Sequence, residues 1–118
     1  MKAELRIGNH IGQGEVMEIK ENVVRVKYTA DKVRTSLIRY EDIQPIPLSE
    51  EVLFKCGATL DGIEYIIKAS ALPIKIRFHS GIAYCEFGNV YLGDRIKYLH
   101  ELQNLVFALC GREMEVSP

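Results

Sequence analysis

The stretch that decides the fold is Tyr98–Gly111, YLHELQNLVFALCG. Within it Leu99, Leu102, Val106 and Leu109 recur at spacings of three, four and three, with Leu105 alongside. That pattern is one stripe of an amphipathic helix, wide enough to cover a sheet. Gly111 follows the last apolar turn, where a residue with positive φ ends a helix at no steric cost. The N-terminal end is less marked: either Asp94 caps a helix starting at Arg95 or Arg95–Tyr98 finishes a strand, and the start is placed near Tyr98. A second set, His100, Gln103, Asn104 and Phe107, occupies the flank of the same helix. It reads either as a solvated flank with Phe107 tucked at its edge, or as a docking face for a protein partner or a second copy.

Working outward, what precedes this helix reads as short strands. Ile74–His79 alternates Ile74, Ile76 and Phe78 with Lys75, Arg77 and His79, the period-two pattern of a half-buried strand. Ser80-Gly81 is a hairpin turn into Ile82–Phe87, and Gly88-Asn89 turns the chain again toward Val90–Leu92. Upstream, Asp61-Gly62 is a turn before a strand at Ile63–Lys68, with Ile63, Tyr65 and Ile67 on one face. Ser49 is the N-cap of a two-turn helix, with Glu50 and Glu51 in its first turn and Leu48 able to staple onto Leu53. Cys56-Gly57 ends it. Glu113–Val116 is expected to add a short tail strand.

In the first part of the chain Glu15–Ile19, Val23–Tyr28 and Val33–Tyr40 read as three strands separated by turns. They predict a small SH3-like barrel or a strongly twisted meander. Gly8, Gly12 and Gly14, at spacings of four and two, match neither the dinucleotide nor the P-loop pattern and read as turn glycines. Pro45 and Pro47 stiffen the connector. The expected fold class is therefore α+β: an SH3-like β lobe over 1–47, then a helix–antiparallel meander–helix lobe over 48–118, packed as one unit.

Composition bounds the function. A chain of 118 residues buries roughly 65% of its unfolded surface and is stable without staples. Fifteen basic and sixteen acidic side chains nearly cancel, so no global charge draws it to nucleic acid or a membrane. No apolar window approaches a spanning helix and the first residues do not form a signal peptide. Three cysteines without close spacing fit a reduced compartment, so a cytoplasmic protein is expected.

Locally, charge is less even. Lys20, Arg25, Lys27, Lys32, Arg34 and Arg39 face only Glu21 and Asp31 across their stretch, and Lys75, Arg77 and His79 line one strand face. This reads as the wet side of each strand, which also guards sheet edges, or as a surface for phosphate contact through Arg25, Lys27, Lys75 and Arg77. Aromatic residues for base stacking are thin there, since Tyr28 and Phe78 lie on the apolar sides. Cys56, Cys85 and Cys110 read as buried structural residues ahead of a metal set or a reactive thiol. A nucleophilic pair needs an orienting acid, and His100 with Cys110 stand ten residues apart on one helix, about 15 Å by helical rise. His10 and His79 are the remaining partners for a fold-assembled site.

Three blocks carry a resemblance. Leu5-Arg6-Ile7-Gly8-Asn9 opens the chain. Pro45-Ile46-Pro47-Leu48-Ser49-Glu50-Glu51 leads into a helix ending in Gly57. His100-Glu101-Leu102-Gln103-Asn104-Leu105 is followed by Phe107-Ala108-Leu109. In these blocks the chain resembles a family of small, uncharacterised bacterial and phage-associated proteins, over most of its length. Cys110 stands where the family pattern has threonine, Val106 where an aromatic is usual and Cys56 where leucine is common; all three are packing-type departures. The resemblance implies a shared fold and a mobile-element origin, with no activity attached. The reading is a non-enzymatic interaction or accessory module without a cofactor, with nucleic-acid binding as the alternative and an enzyme around His79 or Cys85 as a third.

Overall fold

The structure, a computed structural model, describes residues 5–28, 34–68 and 72–117. The fold is α+β, with two antiparallel sheets and two α-helices among the described residues. The first sheet is β1 (His10–Ile11), β2 (Gly14–Ile19), β3 (Val23–Lys27) and β4 (Thr35–Arg39), paired in chain order. A single 3-10 turn, Tyr40–Asp42, follows. Helix α1 (Glu50–Lys55) leads into β5 (Thr59–Asp61), β6 (Glu64–Ile67), β7 (Ile74–His79), β8 (Ile82–Phe87) and β9 (Val90–Gly93), a five-stranded meander again in chain order. Helix α2 (Leu99–Cys110) closes the chain.

Alternation builds each sheet. In β3, Val24 and Val26 are fully buried between half-exposed Val23, Arg25 and Lys27. They join Ile11, Val16 and Ile43 in one apolar cluster. The first sheet is open, β1 and β4 being its edges among the described residues, so the expected barrel is represented by a bent meander. A register shift between Val16 and Glu18 marks the bend. Gly14 makes β2 possible at all. Its φ is 142°, and a Cβ there would lie 2.2 Å from the Lys27 carbonyl oxygen, inside any permitted contact.

The second cluster is larger. Ile67, Ile74, Ile76 and Cys85 on the inner sheet face meet Leu53 of α1 and Leu99, Leu102 and Val106 of α2. Each large side chain removed from water here contributes about 1.5–3 kcal/mol. The α2 stripe anticipated from spacing is thus the lid on this core, except that Leu105 and Leu109 are only partly buried at its margin. The Ser49 side chain accepts from the Val52 N–H at 3.2 Å, as an N-cap does. Glu101 Oε1 accepts from the Lys97 and Tyr98 amides at 2.8 and 3.0 Å and caps α2, while Gly111 at φ 70° ends it. The chain crosses from one cluster to the other between Ile43 and Ile46.

Three expectations are corrected. Ile63 is not on a strand face: Asp61 pairs with Glu64, so Gly62-Ile63 is the two-residue turn and Ile63 is 72% exposed. Two strands, β1 and β5, are added. The tail at Glu113–Ser117 is not a strand; it lies extended and the Ser117 N–H donates to the Lys55 carbonyl at 2.8 Å. The expected strand start at Val33 lies outside the described residues.

Gly14→Ala and Gly111→Ala should differ sharply in cost. A Cβ at Gly111 meets nothing within 4 Å, so alanine there costs only its left-handed conformation, about 1–2 kcal/mol. Gly14→Ala adds a backbone clash and should cost at least twice as much, measured as the shift in urea midpoint at unchanged m-value.

Candidate functional site

The polar flank of α2 holds the chain's own N-terminal segment. Gln103 is 1% exposed. Its Oε1 accepts from the His10 amide at 2.7 Å and its Nε2 donates to the Gly8 carbonyl at 3.2 Å. At the next residue, Asn104 Oδ1 accepts from Asn9 Nδ2 at 2.9 Å and from Arg6 Nε at 3.0 Å. The Arg6 guanidinium lies 4.1 Å over the Phe107 ring and pairs with Glu113. His100 is buried and stacked on Tyr98. Of the four residues considered as a surface for another protein, His100 and Gln103 are therefore inside the molecule. Asn104 is half-buried, and Phe107 is the one that remains exposed.

The four cations considered for phosphate contact are divided between the sheets. Arg25 Nε lies 3.2 Å from Glu18, which also meets Lys20 at 3.7 Å. Lys27 stands opposite Glu15 in register and faces a cleft between the two lobes. Lys75 is opposite Glu86, and Arg77 opposite Tyr84, on the outer face of the second sheet. Arg39, from the same basic run, is held by Asp42 at 2.8 Å.

That outer face carries residues that sequence reasoning missed. Tyr84 flanks Arg77, Ile82 flanks His79, and Tyr91 pairs with Glu86. Tyr91, Ile63 and Ile82 are 62%, 72% and 44% exposed. Ile63 and Tyr91, with Arg77, Phe78, His79 and Tyr84, surround a shallow depression of about 310 Å³, and Ile82 stands opposite His79. The signal was available in principle: with Ile76 and Cys85 paired and both buried, Tyr84 must face outward beside Arg77.

Titratable groups fall elsewhere. His10, in the inter-lobe cleft, is held below the ordinary imidazole range by burial, against the opposing pull of Glu15 at 3.8 Å and of Glu113. Burial pushes the Cys56 and Cys85 thiols up to about 11. His79 and Cys85 lie on opposite faces of the second sheet, one exposed and one buried. Among the described residues no group of three or more His, Cys, Asp or Glu is placed to hold a metal ion. Nor is any helix long and apolar enough to cross a membrane.

Comparison with protein-family models, with curated proteins and with solved structures gives no match.

Three outcomes follow from this geometry. Gln103→Leu keeps the volume but strands the His10 N–H and Gly8 C=O, and should cost about 2–4 kcal/mol in urea unfolding. Because the folded state holds His10 with a depressed pKa, the unfolded chain binds the extra proton first. Its effect is absent above the unfolded value near 6.5, and stability falls as pH drops through and below it. His10→Gln should flatten that part of the stability profile. With a thiol reagent at pH 8, native protein should release signal from Cys110 well before Cys56 and Cys85, and unfolding should equalise the three.

Proposed function

We propose that this chain is a non-enzymatic interaction module that pairs with a second copy of itself through the outer face of its five-stranded sheet. The carrying observation is the group of exposed Ile63, Ile82 and Tyr91 with half-buried Tyr84 around Arg77. Aromatic residues, aliphatic residues and an arginine clustered on one face are the composition of interface centres. The occupant is argued from charge. The face bears Lys75 and Arg77 on β7, flanked by Glu64 on β6 and Glu86 on β8. A two-fold contact sets each patch against itself, and a face carrying both signs satisfies that requirement. A net charge of −1 adds little long-range repulsion between copies.

The first lobe, read as an opened SH3-like sheet, leaves this face free of the lobe–lobe joint. An accessory role in a mobile element rests on the resemblance in the three sequence blocks. A second reading has its own observation: Tyr84 and Tyr91 beside Lys75 and Arg77 form an open stacking platform of the kind that binds single-stranded nucleic acid. It is the weaker of the two, because Glu64 and Glu86 share the face and Arg25 is already paired with Glu18.

Sedimentation equilibrium decides between them. The wild-type chain should show a concentration-dependent dimer, and Ile63→Glu with Tyr91→Glu should raise its dissociation constant tenfold or more, about 1.4 kcal/mol. A wild-type monomer at every concentration, or an unchanged dimer in the double variant, overturns the proposal. Salt-sensitive binding of a single-stranded oligonucleotide, lost in Arg77→Glu, would transfer the face to the second reading.

A further inference from the structure

The cleft between the lobes has no part in that contact, and its chemistry is different. It measures about 410 Å³, within the range of small-molecule sites. One wall is a cross-strand row on the first sheet: His10 of β1 opposite Glu15 of β2, and Glu15 opposite Lys27 of β3. The other wall is apolar, built from Ile46, Val52, Leu99 and Val116, with Lys55 among its lining residues.

We propose that this cleft binds a small amphipathic organic anion, a single carboxylate on an apolar body. Among the described residues that line it, two are lysines and one is a carboxylate, a surplus of positive charge at neutral pH. The Lys55 interaction with Glu51, at 3.5 Å, involves a carboxylate that is 81% exposed, and such a surface pair gives up little when a ligand competes. His10, kept neutral, supplies a ring nitrogen without adding charge. The apolar wall takes the hydrocarbon and the lysine ammonium groups take the carboxylate. A cation would meet two ammonium groups, and a dianion would exceed the surplus. The site is separate from the outer sheet face and stands whether or not the chain self-associates.

The test uses octanoate, octan-1-ol and octylammonium as probes, followed by amide chemical-shift mapping on the full chain. Octanoate should saturate below about 5 mM, with shifts concentrated at His10, Glu15, Lys27, Val52 and Leu99. Octanol should bind at least tenfold more weakly, and octylammonium more weakly still. Lys27→Gln with Lys55→Gln should weaken octanoate tenfold or more and leave octanol unchanged, while Lys75→Gln on the outer face should change neither. Equal affinity for the three probes, shifts centred outside the cleft, or no saturation overturns the proposal.

Discussion

One buried amide side chain joins the two halves of this molecule. Gln103 projects from α2 and is met at both ends by backbone, the His10 N–H on its oxygen and the Gly8 carbonyl on its nitrogen. An apolar contact tolerates sliding, whereas this pair of hydrogen bonds fixes β1 against α2 in one register. Leaving either backbone group without its partner in a dry environment costs about 1–3 kcal/mol. The neighbouring bond between Asn9 and Asn104, with Arg6 laid over Phe107, extends the same joint. Two apolar clusters that do not themselves merge are thereby held as one structure.

The three sequence blocks that stand out in this chain converge on that joint. The first contributes Arg6, Gly8 and Asn9, and the last contributes Gln103 and Asn104. The middle block runs beside the start of α2: Pro47 bridges Tyr98, the Leu48 N–H donates to the Lys97 carbonyl at 3.0 Å, and the Leu99 N–H to the Ile46 carbonyl at 2.8 Å. The blocks are therefore one construction, the seating of α2 against both lobes. The cleft exists only because this seating holds the first sheet's charged row opposite Ile46, Val52 and Leu99. The outer sheet face depends on nothing but the pairing of β5 to β9.

Much of the fold was legible because it is carried by local periodicity. The α2 stripe, the alternation in β3 and β7, the Ser49 cap and the Gly111 stop all need only neighbouring residues. The departures have a shared cause in pairing. Strands of two or three residues, β1 and β5, have too few side chains to show a period, and become strands by bonding to β2 and β6. Ile63 continues the apolar alternation of its strand, and the register with β5 nevertheless puts it in the turn. In the candidate sites the same limit applies. Gln103 and His100 have polar side chains, yet they are buried by segments distant in sequence; Gln103 bonds residues 93 and 95 positions away. Tyr84 and Tyr91 acquire their company with Arg77 from cross-strand register alone. The isolated basic run looked uniform in sequence, and Glu18 and Asp42 break it up in space.

Native-state hydrogen exchange tests the joint most directly, comparing the amides of Val24 and Val26 in the first sheet with those of Ile74 and Ile76 in the second. If the Gln103 bonds make one cooperative unit, both sets open at the same free energy in the wild-type chain. Gln103→Leu then lowers the first set selectively. If the first sheet already exchanges through a separate, lower-energy opening in the wild type, and Gln103→Leu leaves both sets unmoved, the joint does not hold the lobes together and the account is wrong.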